Sequence, residues 1–154
     1  MSTFFSVRHN VDELKDHIYD VVGAIYEVHS YLGPGLNEIV YQEGLEKELS
    51  LQNIEFVREA TFHPFYKGEK MKAEYRLDFL CKEDIVVELK SVTELIDVHR
   101  AQLFNYLRLT EASCGILVNF APKSCVIERY FYDCKSQLMY SSDGKVLRRM
   151  NKYN

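Results

Sequence analysis

The chain has 154 residues, a length that suits one domain around a single apolar core and excludes a pair of linked domains. A hydrophobic fraction of 47% and a charged fraction of 27% exclude disordered and membrane-spanning compositions, and no stretch is long and apolar enough to cross a bilayer. Nineteen Lys and Arg against twenty-three Asp and Glu leave a net charge of -4, which excludes a global positive field for nucleic acid and confines any such binding to a local patch.

Met1 to Asn10 carries Arg8 and His9 and no apolar run ahead of a cleavage site, so it does not read as a signal peptide, and the expected location is cytoplasmic. From Val11 to Leu32, Leu14, Ile18, Val21, Val22, Ile25, Val28 and Leu32 recur at the spacing of an amphipathic helix. Gly33-Pro34-Gly35 stops it, since proline disfavours helical geometry in the residue before it and glycine permits turn angles closed to other residues. A second helix is predicted from about Asn37 to Leu51, with Asn37 as its N-cap and Val40, Tyr41, Leu45 and Leu49 as its apolar stripe.

Ile54 to Tyr66 favours extended structure, and Lys67-Gly68-Glu69 supplies a turn. Ala73 to Leu80 and Ile85 to Val92 then read as strands of a hairpin around Cys81-Lys82-Glu83-Asp84, completing a three-strand antiparallel meander. The helical period returns from Leu95 to Leu109, and Cys114 to Phe120 reads as a buried strand, so the two flanking strands should be joined by a right-handed crossover. Val126 to Tyr132 is a further strand, and from about Ser141 the chain reads as a polar tail with Lys145, Arg148, Arg149 and Lys152. The expected class is α/β (α+β) with a mixed central sheet. Cys81, Cys114, Cys125 and Cys134 form no C-x-x-C pair, which argues for reduced thiols rather than a zinc knuckle or a redox motif.

Glu88 and Lys90 lie two apart on a strand and leave the same face of the sheet. Asp78, placed at the end of the preceding strand, should stand across the ladder from Glu88, an arrangement that is unfavourable unless a cation separates the charges. Two hard carboxylates suit Mg2+ or Mn2+, and Lys90 adds a positive charge within reach of the same phosphate. By themselves these three residues describe an ordinary solvated hairpin face more readily than a site.

The order of elements resembles the PD-(D/E)XK superfamily of restriction-endonuclease-like nucleases. Asp78 in Arg-Leu-Asp-Phe-Leu is similar to the superfamily's Asp, with Leu77 where the namesake proline would be, and Glu88-Leu89-Lys90 is similar to its (D/E)-x-K. More closely, Gly35-Leu36-Asn37-Glu38-Ile39-Val40-Tyr41 resembles the motif of the GxxExxY branch, and the strand from Gly115 to Phe120 also resembles that family. His99-Arg100-Ala101-Gln102 with Tyr106 resembles the Q-x-x-x-Y helix of RecB-type exonucleases.

The resemblance implies a restriction-endonuclease-like core and a metal-dependent nuclease. In it Glu38, Asp78, Glu88 and the Leu89 carbonyl hold Mg2+ or Mn2+, Lys90 acts beside them, and Gln102, Tyr106 and Tyr41 support the site; His99, on the helix face of Gln102 and Tyr106, is a further supporting candidate. It also implies a nucleic-acid substrate, DNA before RNA, and allows for a homodimer engaging two strands. Some RecB-like relatives carry an iron-sulfur cluster on one early and three late cysteines; that spacing is absent here and no cluster is expected. Other readings stay open residue by residue. Glu38 also suits the first turn of a helix for its dipole, Tyr41 suits packing, and His99 suits a surface or supporting place. Gln102 and Tyr106, one turn apart, share a face on which a buried amide needs partners. The competing function is a nuclease-fold module that binds nucleic acid or protein with little turnover, in keeping with the acidic charge and small size.

Overall fold

The structure, a computed structural model, describes residues 11–151; Arg8, His9 and Lys152 lie outside the described residues. Helix α1 (Val11–Leu32) and helix α2 (Glu38–Leu51) come first. The residues Leu14, Ile18, Val21, Ile25 and Val28 that set the period of α1 are those it buries. Between the helices, Gly33 and Gly35 take φ of 83° and 76°, the left-handed values that only glycine adopts without cost. Asn37 has the extended backbone of an N-cap, but its side chain makes no cap bond.

Strand β1 (Phe56–Phe62) is followed by a small arm of β2 (Phe65–Tyr66) and β3 (Glu69–Lys70), and then by β4 (Tyr75–Cys81) and β5 (Ile85–Lys90). Helix α3 (Asp97–Thr110) leads to β6 (Cys114–Asn119) and β7 (Val126–Asp133). The segment expected as a polar tail is part of the sheet instead, as β8 (Leu138–Ser141) and β9 (Val146–Arg149). Its apolar residues explain the difference: Met139 and Tyr140 are buried, whereas every residue of β9 is exposed along the edge, where strands carry charge. Arg149 donates to the Ser136 carbonyl at 2.8 Å, and the Arg148 guanidinium lies 5.0 Å from the centre of the Phe104 ring.

The large sheet has the order β1-β4-β5-β6-β7-β8-β9, with β5 and β6 parallel and every other neighbouring pair antiparallel. The meander β1-β4-β5 and the crossover through α3 are as expected. Strand β5 alternates regularly: Ile85, Val87 and Leu89 pack with α1 and α2, while Val86 packs with α3. The two helix layers therefore cover opposite faces. Gly115 on β6 is the point of closest approach of α3, since a Cβ there would lie 2.9 Å from the Cδ1 atoms of both Leu103 and Leu107.

Candidate active site

In the β4–β5 hairpin the register runs Cys81↔Ile85, Leu80↔Val86 and Phe79↔Val87, so Asp78 and Glu88 face each other at the next step. At that step the side chains take over from the backbone ladder. The Asp78 N–H donates to Glu88 Oε2 at 2.7 Å, and the Leu89 N–H donates to Asp78 Oδ2 at 2.8 Å. Asp78 thus lies in the middle of β4, not at its end; what ends there is regular pairing with β5.

The cause is a twist that the neighbouring strand shares. Leu77 packs with α3 and Phe79 packs with α1 and α2, although residues two apart in a regular strand share a face. Across the β1–β4 ladder, between Arg58↔Phe79 and Ala60↔Leu77, sits Glu59 with φ of 54°. A non-glycine residue in this left-handed region costs about 1 kcal/mol or more, and its neighbours hold it there. Arg58 is anchored to Glu46 at 2.9 Å and to Gln42 at 3.3 Å on α2, while Phe62 packs on the other face. The turnover takes Asp78 out of the alternation and lets its carboxylate reach β5.

Glu38 opens α2, and the turn before it is held from two sides. The Tyr41 hydroxyl donates to the Gly33 carbonyl at 2.6 Å and accepts from the Leu36 N–H at 3.0 Å. Its ring stacks on Phe120 at 4.4 Å between centroids, with an 8° interplanar angle. Tyr41 therefore both packs and positions. From the sheet, the Ser91 hydroxyl donates to the Leu36 carbonyl at 2.6 Å, which ties the residue after Lys90 to the motif that presents Glu38.

Lys90 donates from Nζ to Gln102 Oε1 at 3.0 Å, and Gln102 Nε2 donates to the Tyr106 hydroxyl at 3.1 Å. The helix pair expected from its spacing thus fixes the ammonium through a neutral amide. Burial pushes the Tyr106 phenol up to about 12, and the Glu88 and Asp78 carboxylates push it the same way, so it keeps its proton at neutral pH. His99 has a different role: its Nδ1 accepts the Ile96 N–H at 3.1 Å and caps α3. The slight burial of its ring and the Lys90 charge hold its pKa below the usual value.

Sequence reasoning missed Ser91, Glu59 and Asn119. Asn119 is buried; its Oδ1 accepts the Val92 N–H at 3.0 Å and its Nδ2 donates to the Val92 carbonyl at 2.9 Å. These bonds take the backbone groups of Val92 and explain why β5 stops at Lys90 rather than at Val92. The signal was present: an Asn inside an apolar run is a buried polar group that must find partners.

Glu88 is 4% exposed, and its carboxyl is raised well above the usual range. Burial is the main cause; the Asp78 and Glu38 charges add to it, against the Asp78 N–H and Lys90. Asp78 is raised by burial, opposed chiefly by the Leu89 N–H and Lys90. Glu38, an exposed residue at the start of α2, is raised by the partial burial of its carboxyl and then by Asp78, with Lys90 opposing. Glu38, Asp78, Glu88 and Lys90 therefore share one electrostatic neighbourhood. Among the described residues, however, no three His, Cys, Asp or Glu side chains are arranged as they stand to hold a metal ion. Asp78 and Glu88 each direct one carboxylate oxygen to a backbone N–H of the opposite strand, while the Lys90 ammonium is directed to Gln102. The donor set still fits a hard divalent ion: carboxylate and carbonyl oxygens, an excess of negative charge, and one oxygen each of Asp78 and Glu88 outside the bonds to Leu89 and Asp78.

A family model described as the PD-(D/E)XK nuclease superfamily matches residues 15–130, which include all of these positions. Among solved structures, the crystal structure of SSO0001 is similar: 26% identical, with a TM-score of 0.50 and coverage of 60% of this chain and 48% of that one. This chain thus spans about half the length of SSO0001. No curated protein matches the chain.

Proposed function

The chain belongs to the PD-(D/E)XK nuclease superfamily, and on that premise we propose that it is a metal-dependent nuclease hydrolysing phosphodiester bonds, DNA before RNA, within the GxxExxY branch. One observation carries the reading. Three acidic side chains on two strands and a helix are electrostatically coupled around Lys90, whose ammonium is fixed by Gln102 at 3.0 Å. Glu38, Asp78, Glu88 and the Leu89 carbonyl would hold Mg2+ or Mn2+, which supplies Lewis-acid polarisation and a water of lowered pKa.

The protein's own groups do the rest. The burial of Glu88 excludes bulk water, so that charges at this point act with little screening. Lys90 orients the nucleophile and offsets charge developing on the transferring oxygens, an interaction stronger in the transition state than in the ground state. Gln102 aims Lys90, and Tyr106 aims Gln102. Labelled single- and double-stranded DNA and RNA, incubated with purified protein in Mg2+ or Mn2+, test the proposal directly. Cleavage is expected in at least one case, and Lys90→Ala should slow it about a hundredfold or more while leaving metal affinity nearly intact.

The second reading, a binding module with little turnover, is favoured by one fact: Asp78 and Glu88 each use a carboxylate oxygen to satisfy a backbone N–H of the opposite strand, a structural role independent of chemistry. If parent and Lys90→Ala bind nucleic acid alike and neither cleaves any of the four substrates, this reading replaces the enzyme.

A further inference from the structure

The arm between β1 and β4 makes no part of the core. It leaves the sheet at the pair Phe62↔Tyr75 and folds back on itself through Phe65↔Lys70 and Tyr66↔Glu69, with Lys67 and Gly68 at φ of 48° and 84° in a two-residue turn. Its base is fastened. Pro64 is buried and its carbonyl accepts the Met71 N–H at 2.9 Å, while His63 Nδ1 lies 3.0 Å from the carbonyls of both Met71 and Ala73. Beyond this base every residue from Phe65 to Arg76 is exposed.

The arm's composition differs from that of the chain around it. Phe65 is 40% exposed, Tyr66 63% and Tyr75 40%. Interleaved with them are Lys67, Lys70, Lys72 and Arg76 against only Glu69 and Glu74, in a chain where acids outnumber bases twenty-three to nineteen. Phe65 stands opposite Lys70, and the Lys67 ammonium lies 5.6 Å from the centre of the Tyr66 ring. Phe65 and Tyr66 therefore each have a cation at hand, the combination of ring and positive charge that a nucleotide's base and phosphate call for. Exposed rings do not suit a base pair's interior, which is already stacked; they suit unpaired bases. At its root the arm meets the site, because the Tyr75 ring lies 6.0 Å from Tyr106, the residue that aims Gln102.

We propose that the 63–73 arm grips single-stranded nucleic acid, with Phe65 and Tyr66 stacking on unpaired bases and Lys67, Lys70 and Lys72 holding the flanking phosphates, and so feeds one strand past Tyr75 to Lys90. The proposal rests on the nuclease reading for its substrate class, but binding tests it separately. The probe is a fluorescein-labelled oligodeoxynucleotide of about 20 nucleotides, enough to cover several bases beyond one grip. Its anisotropy is compared with that of its blunt duplex, in Ca2+ and again in EDTA.

The single strand should bind at least about tenfold more tightly than the duplex. Phe65→Ala with Tyr66→Ala should weaken it about tenfold or more, with its salt dependence retained. Lys67→Ala, Lys70→Ala and Lys72→Ala together should remove two to three phosphate contacts and so flatten the salt dependence on the single strand by a slope change of about 1.4 to 2.1. The chain has no Trp, so Tyr66→Trp gives a single reporter whose fluorescence should be quenched by the single strand and not by the duplex. Equal affinity for duplex and single strand, arm variants that bind like the parent, or an unquenched Trp would each overturn the grip. Arm-dependent binding without cleavage in Mg2+ or Mn2+ would keep the grip and sink the nuclease, and cleavage unaltered in the arm variants at low substrate would do the reverse.

Discussion

Glu88 is the most deeply buried carboxylate of the candidate site. Its carboxyl is buried beside two others, so in the folded, metal-free protein the protonated form is favoured and its pKa lies well above the ordinary 4.5. A group raised in this way binds more protons folded than unfolded. Its contribution to stability is fully present below pH 4.5 and is lost as pH rises through the folded value. Asp78 and Glu38 are shifted in the same direction and act with it. Metal-free protein should therefore melt at progressively lower temperature as pH rises from about 5 to 8. Glu88→Gln keeps an acceptor for the Asp78 N–H while removing the charge, so it should flatten that slope and melt higher than the parent near neutrality. Melting curves in EDTA across this range check it; an unchanged slope in the variant would assign the dependence to other groups.

Among the elements, α2 and α3 matter for the ends and faces they bring to the sheet. Tyr41→Phe keeps the stack on Phe120 but leaves the Leu36 N–H and the Gly33 carbonyl without the hydroxyl between them. Loss of such a partner costs about 1–3 kcal/mol, readable by urea unfolding. Because the lost bonds hold the turn that presents Glu38, metal affinity should fall as well, and an affinity equal to the parent's would make Tyr41 a packing residue only. Gly115→Ala tests the other layer. The new methyl meets Leu103 and Leu107, which are fully buried, and overpacking of this kind costs about 1–3 kcal/mol. Helix α3 carries Gln102, so the same variant should also slow cleavage; a change in unfolding alone would show that α3 absorbs the methyl without moving the site. The elements themselves were legible because their apolar residues mark them: α1 buries the stripe that its spacing sets, and β5 and β6 are short apolar runs buried almost throughout. The strands β8 and β9 were not, since β8 is four residues long and β9 buries none of its four, which leaves no period to read.

Across the whole molecule, the order of elements and the motif residues were readable from the sequence, while the bonds that bring the residues together were not. Spacing placed Glu88 and Lys90 on one face, and Gln102 and Tyr106 on one turn. It could not show the positive φ of Glu59, the Asn119 clasp on Val92 or the Ser91 bond to Leu36, each of which joins residues far apart in the chain or breaks a local rule. Those contacts make the proposed metal ligands a property of the assembled fold: α2, β4 and β5 each supply a carboxylate, and these feel one another's charge only when α2 is docked on the sheet. An ion bound there would bind the folded state and not the unfolded chain, so Mg2+ or Mn2+ should raise the melting temperature in proportion to the logarithm of its concentration above Kd, about 2.7 kcal/mol at a hundredfold excess over Kd. Relief of the repulsion among three carboxylates acts in the same direction and should be greatest at the pH where the metal-free protein is least stable. Asp78→Asn and Glu88→Gln should each raise the metal-free melting temperature and abolish the response to metal, whereas Lys90→Ala should preserve it. If Asp78→Asn and Glu88→Gln respond to Mn2+ as the parent does, the ion sits elsewhere and these carboxylates are not its ligands.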